Sequence, residues 1–271
     1  MTGKETVRSP LAEGKTKIIW AIPGTNEVLV ESKDDITAGD GARRNLMEGK
    51  GVLATQTTAN CFALLTRAGI PNHFVQRDNE TTFRAKEVKM IPIELVARRL
   101  AFGSYLKRNP ETPSQTRFDA PVIEFFDKDD SQHDPLLLLD TSRGVVQRHV
   151  ASKPVGSDLI DERPISEAQT MAIDKWGELE AITRDTFEVL EAAWADQGVT
   201  LVDMKIECGI TPEGEVLVAD VIDNDSWRIW PGGDPNQMVD KQLFRDGQPL
   251  DYVADKYAWV AEATNAFSQV S

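Results

Sequence analysis

The sequence predicts an α+β fold, and three patterns carry the prediction. Short strand-like runs dominate the first ninety residues, with one helix among them. A long amphipathic helix fills the stretch before residue 198, and two apolar strands joined by a tight turn follow it at once. Strands, then helices, then a hairpin is the order of an α+β protein rather than the regular strand–helix alternation that builds a parallel sheet.

Taken in order, strands are expected over residues 15–22, 27–32, 73–76 and 81–88, runs that contain Val, Ile, Phe and Thr. A helix over 50–67 interrupts them and is stopped by Gly69 and Pro71. The stretch "MIPIEL" (90–95) reads as a proline-containing junction, which divides the chain into residues 1–92 and 93–271. A short helix at 105–108 and a strand at 122–127 follow. Residues 140–164 are polar and poor in periodicity, so a long surface excursion is expected there. Ser166 with Gln169 forms a capping-box pattern at the start of the next helix. Trp176, Leu179, Phe187, Leu190 and Trp194 supply its apolar stripe, and Gly198 is placed to stop it. The turn "TPEG" (211–214) joins a strand over 201–210 to one over 215–222 as an antiparallel hairpin. Val253, Tyr257, Val260 and Phe267 mark a final packing helix.

Composition narrows the class. A chain of 271 residues makes one large domain or two fused lobes. It contains no apolar run long enough for a membrane span, and the first fifteen residues lack the apolar core of a secretory signal. Cys61 and Cys208 sit in apolar patterns without metal-ligand spacing, as buried reduced thiols of a cytoplasmic protein do. A net charge of −14 argues against nucleic-acid binding but leaves room for small anions held by local clusters of Lys and Arg.

The most informative stretch is "LVDMKIECGI" (201–210). As a strand it turns Val202, Met204, Ile206 and Cys208 to one face and Asp203, Lys205 and Glu207 to the other. The charged face is either a solvated sheet surface with paired charges or the floor of a cleft that handles a metal and phosphates. The hairpin brings Asp220, set in the apolar run "VLVADVI", close to Glu207. Two neighbouring carboxylates in apolar surroundings require counter-ions. Structural ion pairs supply them in one reading. Mg²⁺, which favours hard oxygen ligands and completes its shell with water and nucleotide phosphates, supplies them in the other.

Further segments have phosphate character. "EGKTKIIW" (13–20) sets Lys15 and Lys17 beside Gly14 but lacks the spacing of a Walker A loop. "DDITAGDGARR" (34–44) is a glycine-containing loop whose amides can receive an anion. Arg98 precedes a Gly103–Ser104 turn into a helix, a combination suited to phosphate. "FFDKDDSQHDP" (125–135) offers Lys128, Asp130 and Asp134, with His133 read as a structural residue and not a base. Arg228, beyond the acidic hairpin, either neutralises a substrate phosphate or pairs with Asp225. No nucleophile elbow and no Cys/His or Ser/His pairing is evident. Bases for phosphate and acids for metal fit phosphoryl transfer, in which positioning and charge neutralisation dominate.

In order along residues 11–235, the segments "EGKTK", "SKDDITAGDGARRN", "GIPNHF", "MIPIELVARRLAFGSYLKRNP", "EFFDKDDSQHDP", "LVDMKIECG" and "ADVIDNDSWRIWPGGD" resemble the SAICAR synthetase family. The wording is closest to the synthetase half of the bifunctional animal-type enzyme, although no fused carboxylase domain is expected in a chain ending at Ser271. The resemblance implies two α+β lobes with ATP in the cleft between them, an architecture related to kinases and ATP-grasp enzymes. It implies ATP-dependent ligation of L-aspartate to 5-aminoimidazole-4-carboxyribonucleotide (CAIR) through an acyl phosphate, with Mg²⁺ as cofactor. The implied partners are small molecules, neither nucleic acid nor membrane, and the candidate assembly is a homo-oligomer.

Carried over residue by residue, the resemblance implies an ATP site at Lys15, Lys17, Glu94, Glu207 and Asp220. Glu207 and Asp220 are the implied metal ligands, and Lys205 and Asp203 the catalytic pair. Arg98, Ser104 and Arg228 are implied around the CAIR phosphate, with Lys128 and Asp134 on the CAIR and aspartate side. Residues 37–43, with Asp40 and Arg43, are implied as an aspartate-handling lid. Cys208 departs from the Phe frequent at this point in the family, which bears on packing and not on chemistry. Competing readings are a small-molecule kinase, which would need one acceptor, and a non-catalytic nucleotide-binding relative, which would have no need of Lys205, Glu207 or Asp220.

Overall fold

The structure, a computed structural model, describes residues 10–39, 42–140, 142–154, 157–164 and 175–269. The chain begins with β1 (Pro10–Glu13), β2 (Lys17–Ala21) and β3 (Glu27–Ser32). The stretch expected as a glycine loop is a hairpin instead, β4 (Asp35–Ala38) against β5 (Arg43–Leu46), with Thr37 opposite Arg44. Helix α1 (Lys50–Arg67) follows, and then β6 (Phe74–Arg77) and β7 (Thr82–Lys86). The five remaining strands of this part form one sheet in the order β1–β2–β3–β7–β6.

Helix α1 starts and stops for identifiable reasons. Asp34 accepts from the amides of Gly49 and Gly51, at 3.1 and 2.8 Å, and so caps the start from outside the helix. At the other end Gly69 takes a left-handed backbone (φ 76°), and the amides of Gly69 and Ile70 return to carbonyls of the last turn. Pro71 then leads the chain away.

Strand β8 (Lys89–Leu100) runs straight through Pro92, where a junction was expected. The proline is tolerated because a bulge lies there. Between Glu207 and Gly209 the partner strand advances two residues while β8 advances four, from Glu94 back to Met90. A bulge leaves backbone groups unpaired, so the missing N–H of proline costs little. The change from the first sheet to the second therefore falls at 87–88, just before β8.

The second sheet continues through the short helix α2 (Ser104–Arg108), β9 (Arg117–Asp127), β10 (Leu136–Asp140), β11 (Val145–His149) and β12 (Leu159–Pro164). These strands correct the expected excursion at 140–164: β10, β11 and β12 extend the sheet outward as an antiparallel meander. Their periodicity is hidden because polar residues pair across strands. Arg148 faces Asp161, and Gln147 faces Glu162. The capping pattern at Ser166 and Gln169 lies outside the described residues. The described helix, α3 (Trp176–Ala195), buries Leu179, Phe187, Leu190 and Trp194 as expected.

Helix α3 packs on the central strand β13 (Val199–Ile210), which is followed by β14 (Val216–Ala219), β15 (Trp227–Pro231), the short α4 (Gln242–Arg245) and α5 (Leu250–Ala263). The sheet order is β12–β11–β10–β9–β8–β13–β14. One edge of β13 takes β8, and the other edge is divided. Residues 199–204 pair with β15 and residues 207–210 with β14. Between these partners the sheet opens, and residues 220–226 fill the gap, with the Lys205 amide donating to the Ser226 carbonyl at 2.7 Å.

Met204, Ile206 and Cys208 belong to the main core with α1, α3 and Phe267. Both cysteines are buried free thiols. Gly209 marks how tightly β13 meets the segment before β8: a Cβ there would stand 2.3 Å from Val88 Cγ2. Gly209→Ala is therefore expected to destabilise the protein by about 1–3 kcal/mol through overpacking, read as a lowered thermal midpoint.

Candidate active site

The charged face of β13 is not a solvated surface. Asp203 and Glu207 are buried, and Lys205 is partly so. Together they floor a cavity of about 540 Å³ between the two sheets. Its walls come from the β1–β2 turn (Gly14 to Lys17), the tip of the β4–β5 hairpin, Glu94 and Arg98 of β8, the loop after β9, residues 220–228, and Lys241 with Arg245.

Asp220 reaches this cavity through a backbone exception. In the hairpin Glu207 faces Ala219, so a continued pleat would set Asp220 opposite Ile206, on the apolar side. Its backbone is left-handed instead (φ 64°), and the strand ends. This conformation is uncommon for a residue with a Cβ, though Asp tolerates it better than most. His73 supports the turn. Its Nε2 lies 2.9 Å from the Asp220 carbonyl, in a pocket whose burial draws its pKa down to about 4, leaving the ring neutral as the donor.

Each acid of the floor meets a lysine from another element. Lys17 of β2 pairs with Asp220, Lys128 after β9 pairs with Glu207, and Lys205 pairs with Glu94 across β8 and β13. Lys15 lies at the rim, 2.7 Å from Asp130. Burial, and then the charge of Asp220, raises the pKa of Glu207. Burial also works against the Asp220 anion, but Lys17, Lys128 and Lys205 outweigh it and hold its pKa below the usual range. Burial would lower Lys205, yet Glu94, Glu207 and Asp220 raise it, so it carries a proton at neutral pH. Asp134, on a left-handed turn (φ 49°), is raised to about 6 by burial and by the charge of Glu94.

A second group lies along β8 and β15. Asp203, directly opposite Arg98, accepts from Arg98 Nη1 at 2.7 Å and from Arg228 Nη1 at 2.5 Å on the same oxygen. Arg228 therefore pairs with Asp203 and not with Asp225. Arg98 also meets Glu124 at 2.5 Å and the Ser104 hydroxyl at 3.3 Å. Gly103 (φ 60°) lies against the second guanidinium so closely that a Cβ would stand 2.9 Å from Arg228 Nη2. Arg98 and Arg228 both line the cavity, and two such cations suit a phosphate monoester.

The remaining expectations are met unevenly. Thr37 and Gly39 line the cavity, but Arg43 donates to the Phe244 carbonyl at 2.8 Å and stacks on that ring. Asp40 lies outside the described residues. Sequence reading missed Glu124, Lys50, Asp223 and Lys241. Asp225 is held by Lys50, Lys241 and the Tyr257 hydroxyl. The signal was present in "DVIDND", where three acids interrupt an apolar run and demand buried partners.

A sequence model of SAICAR synthetase matches residues 10–262. The chain belongs to the SAICAR synthetase family. A phosphoribosylaminoimidazole-succinocarboxamide synthase of Chloroflexus aurantiacus is 48% identical over 260 residues, covering 94% of this chain and 95% of that one. A multifunctional protein of Caenorhabditis elegans is 42% identical, covering 96% of this chain and 59% of its own. Among solved structures, a SAICAR synthetase in complex with ADP has a TM-score of 0.77 at 28% identity, covering 94% of this chain and 97% of that one. As a SAICAR synthetase this chain is an enzyme of purine biosynthesis, a ligase that joins aspartate to CAIR. The α+β fold with its large sheets matches that of solved SAICAR synthetases.

Proposed function

We propose that the cavity over β13 is where ATP activates the carboxylate of CAIR for attack by L-aspartate. The observation that carries the reading is the meeting of three lysines with Glu94, Glu207 and Asp220 on one cavity floor, with the Arg98–Arg228 pair at its far end. A solved relative in complex with ADP supports an adenine nucleotide as ligand. In this reading the sheet of β1, β2, β3, β6 and β7 forms the nucleotide lobe and the sheet around β13 the lobe for CAIR. Two free buried thiols accord with a reducing compartment, the cytoplasm.

A CAIR carboxylate oxygen attacks the γ-phosphorus of ATP, and ADP leaves. The amine of aspartate then attacks the acyl carbon. Inorganic phosphate departs with the oxygen that came from CAIR, the amine loses its proton, and the amide of SAICAR remains. Lys15 and Lys17 draw the nucleotide phosphates to the β1–β2 turn, with Glu94 on the nucleotide side. Lys205, protonated, steadies the phosphoryl group in transfer. Arg98, Ser104 and Arg228 anchor the ribose phosphate, and Asp203 fixes both guanidiniums. Lys128 and Asp134 face CAIR and aspartate. Thr37 to Gly39, at the end of β4, line the cavity on the side assigned to aspartate.

Glu207 and Asp220 fit Mg²⁺: they are hard-oxygen donors on one hairpin, close enough for the charge of Asp220 to raise Glu207, and each is now balanced by a lysine. Mg²⁺ commonly takes one or two carboxylates and completes its shell with phosphates and water. When bound there it would neutralise charge on the transferring phosphoryl group. Lys17 and Lys128 would then be released toward the phosphates.

The acyl phosphate is tested with CAIR labelled by ¹⁸O in its carboxylate. The expected result is label in inorganic phosphate, formed only with ATP and L-aspartate both present; unlabelled phosphate would refute the pathway. Arg228→Ala is expected to raise the KM for CAIR at least tenfold with a smaller change in kcat, as loss of uniform binding does. A KM equal to wild type would remove Arg228 from the phosphate site.

A further inference from the structure

The outer meander β10–β12 touches none of the cavity, yet it carries one of the most heavily engaged charges among the described residues. Arg148 of β11 is buried, with its side chain only 3% exposed. Its Nε and Nη2 both bond Asp161 of β12 at 2.9 Å. Its Nη1 reaches past β10 to Asp127, at the end of β9, at 2.9 Å and to Asp129 in the following loop at 3.1 Å. Thus one guanidinium spends three donors on three carboxylates, two of which begin the loop that lines the cavity.

That loop is built from Asp129 outward. The Asp129 carboxylate accepts from the Ser131 amide at 3.1 Å and from the Ser131 hydroxyl at 2.5 Å. Its amide donates to the Asp134 carboxylate at 3.0 Å, and the Asp134 amide returns to its carbonyl at 3.1 Å. His133 and Asp134 take consecutive left-handed backbones, φ 57° and 49°. Such a turn persists only where its surroundings over-determine it. Lys128, the residue before Asp129, ends on Glu207.

We propose that Arg148 is a positioning residue for the reaction: it clamps Asp127 and Asp129 so that the loop holds Lys128 and Asp134 against the cavity floor. The chain of contacts runs from Asp161 through Arg148 and Asp129 to Asp134, and from Asp129 by one residue to Lys128. Without the guanidinium, three carboxylates repel one another at the root of the loop. The inference rests on the cavity being the active site and on Lys128 serving there. A displacement of about 1 Å in such a loop is enough for a large loss of rate.

The test compares Arg148→Met, Arg148→Lys, Lys128→Met and the double variant Arg148→Met/Lys128→Met, by kcat, KM for CAIR and thermal midpoint. Arg148→Met is expected to lower kcat/KM about tenfold or more while folded at the assay temperature, and Arg148→Lys to recover most of the loss. In the Lys128→Met background Arg148→Met is expected to cost several-fold less than in the wild-type enzyme, because the part of its effect that runs through Lys128 is already lost. The inference is overturned by a lowered thermal midpoint with kcat and KM within about twofold of wild type, or by losses that multiply in the double variant. Should Arg148→Met not fold, Asp129→Asn, which loosens only the loop side of the contact, takes its place with the same expected pattern. A Lys128→Met enzyme of wild-type activity would overturn the role of Lys128, and the inference with it.

Discussion

Asp220→Asn is expected to lower kcat by about a hundred- to a thousandfold while leaving the protein folded. The size of the effect follows from what the residue does: it supplies charge where charge must be balanced during phosphoryl transfer, and electrostatic groups of that kind carry roughly 3–4 kcal/mol each. The intact fold follows from the backbone. Asp220 sits at φ 64°, and Asn is among the few residues with a Cβ that accept the left-handed region readily. The His73 bond to the carbonyl of residue 220 does not depend on the side chain and survives the change. Lys17 loses its anionic partner but is only partly buried, so the cost to stability stays small. Product formation with CAIR, ATP and L-aspartate, followed beside a thermal melt, checks both halves. Turnover within tenfold of wild type would remove Asp220 from the chemistry.

Asp203→Asn is expected to act on both stability and binding. One carboxylate oxygen of Asp203 serves two guanidiniums, and the residue is 5% exposed. Arg98 would keep Glu124, but Arg228 has no other acid among the described ion pairs, so a charge would be left in a partly buried setting. Breaking a buried pair from one side costs about 3–5 kcal/mol. For a chain of this size that corresponds to a thermal midpoint lower by roughly 6–15 °C. The KM for CAIR should rise with it, because Arg98 and Arg228 lose their common fixed point. A melt within about 2 °C of wild type, with unchanged KM, would contradict the clamp.

Much of this site was legible because β13 has two unlike faces. Alternation alone placed Met204, Ile206 and Cys208 in the core and Asp203, Lys205 and Glu207 opposite, and the helix before it was equally clear from its stripe. What alternation left open was whether the charged face met water, since ion pairs and a cleft floor leave the same pattern. Only tertiary structure brings Lys17 to Asp220, Lys128 to Glu207 and Glu94 to Lys205, each pair more than 70 residues apart in sequence.

The misplaced elements share a cause: local rules were overridden by long-range pairing. Pro92 reads as a boundary, but a bulge against Glu207–Gly209 lets it lie inside β8. The polar run after Asp140 reads as a loop because Arg148 and Gln147 find their partners on the next strand, where pairing and not hydrophobicity holds the sheet together. The left-handed turn at Asp220 had no signal at all in sequence, because a buried Asp before Val gives no hint that the pleat ends there. That turn decides whether both acids can face one ion.

The proposed mechanism depends above all on Glu207 and Asp220, on the floor made by β13, meeting the metal and phosphates of the nucleotide. The direct measurement is a crystal structure with ADP, CAIR and Mn²⁺ in place of Mg²⁺, with the metal located by its anomalous scattering. The expected result is a metal peak within bonding distance of carboxylate oxygens of both Glu207 and Asp220, with Lys17 and Lys128 turned from the acids to the phosphates. A metal bound instead at Asp223 and Asp225, or phosphates lying away from Lys17 and Lys205, would contradict it.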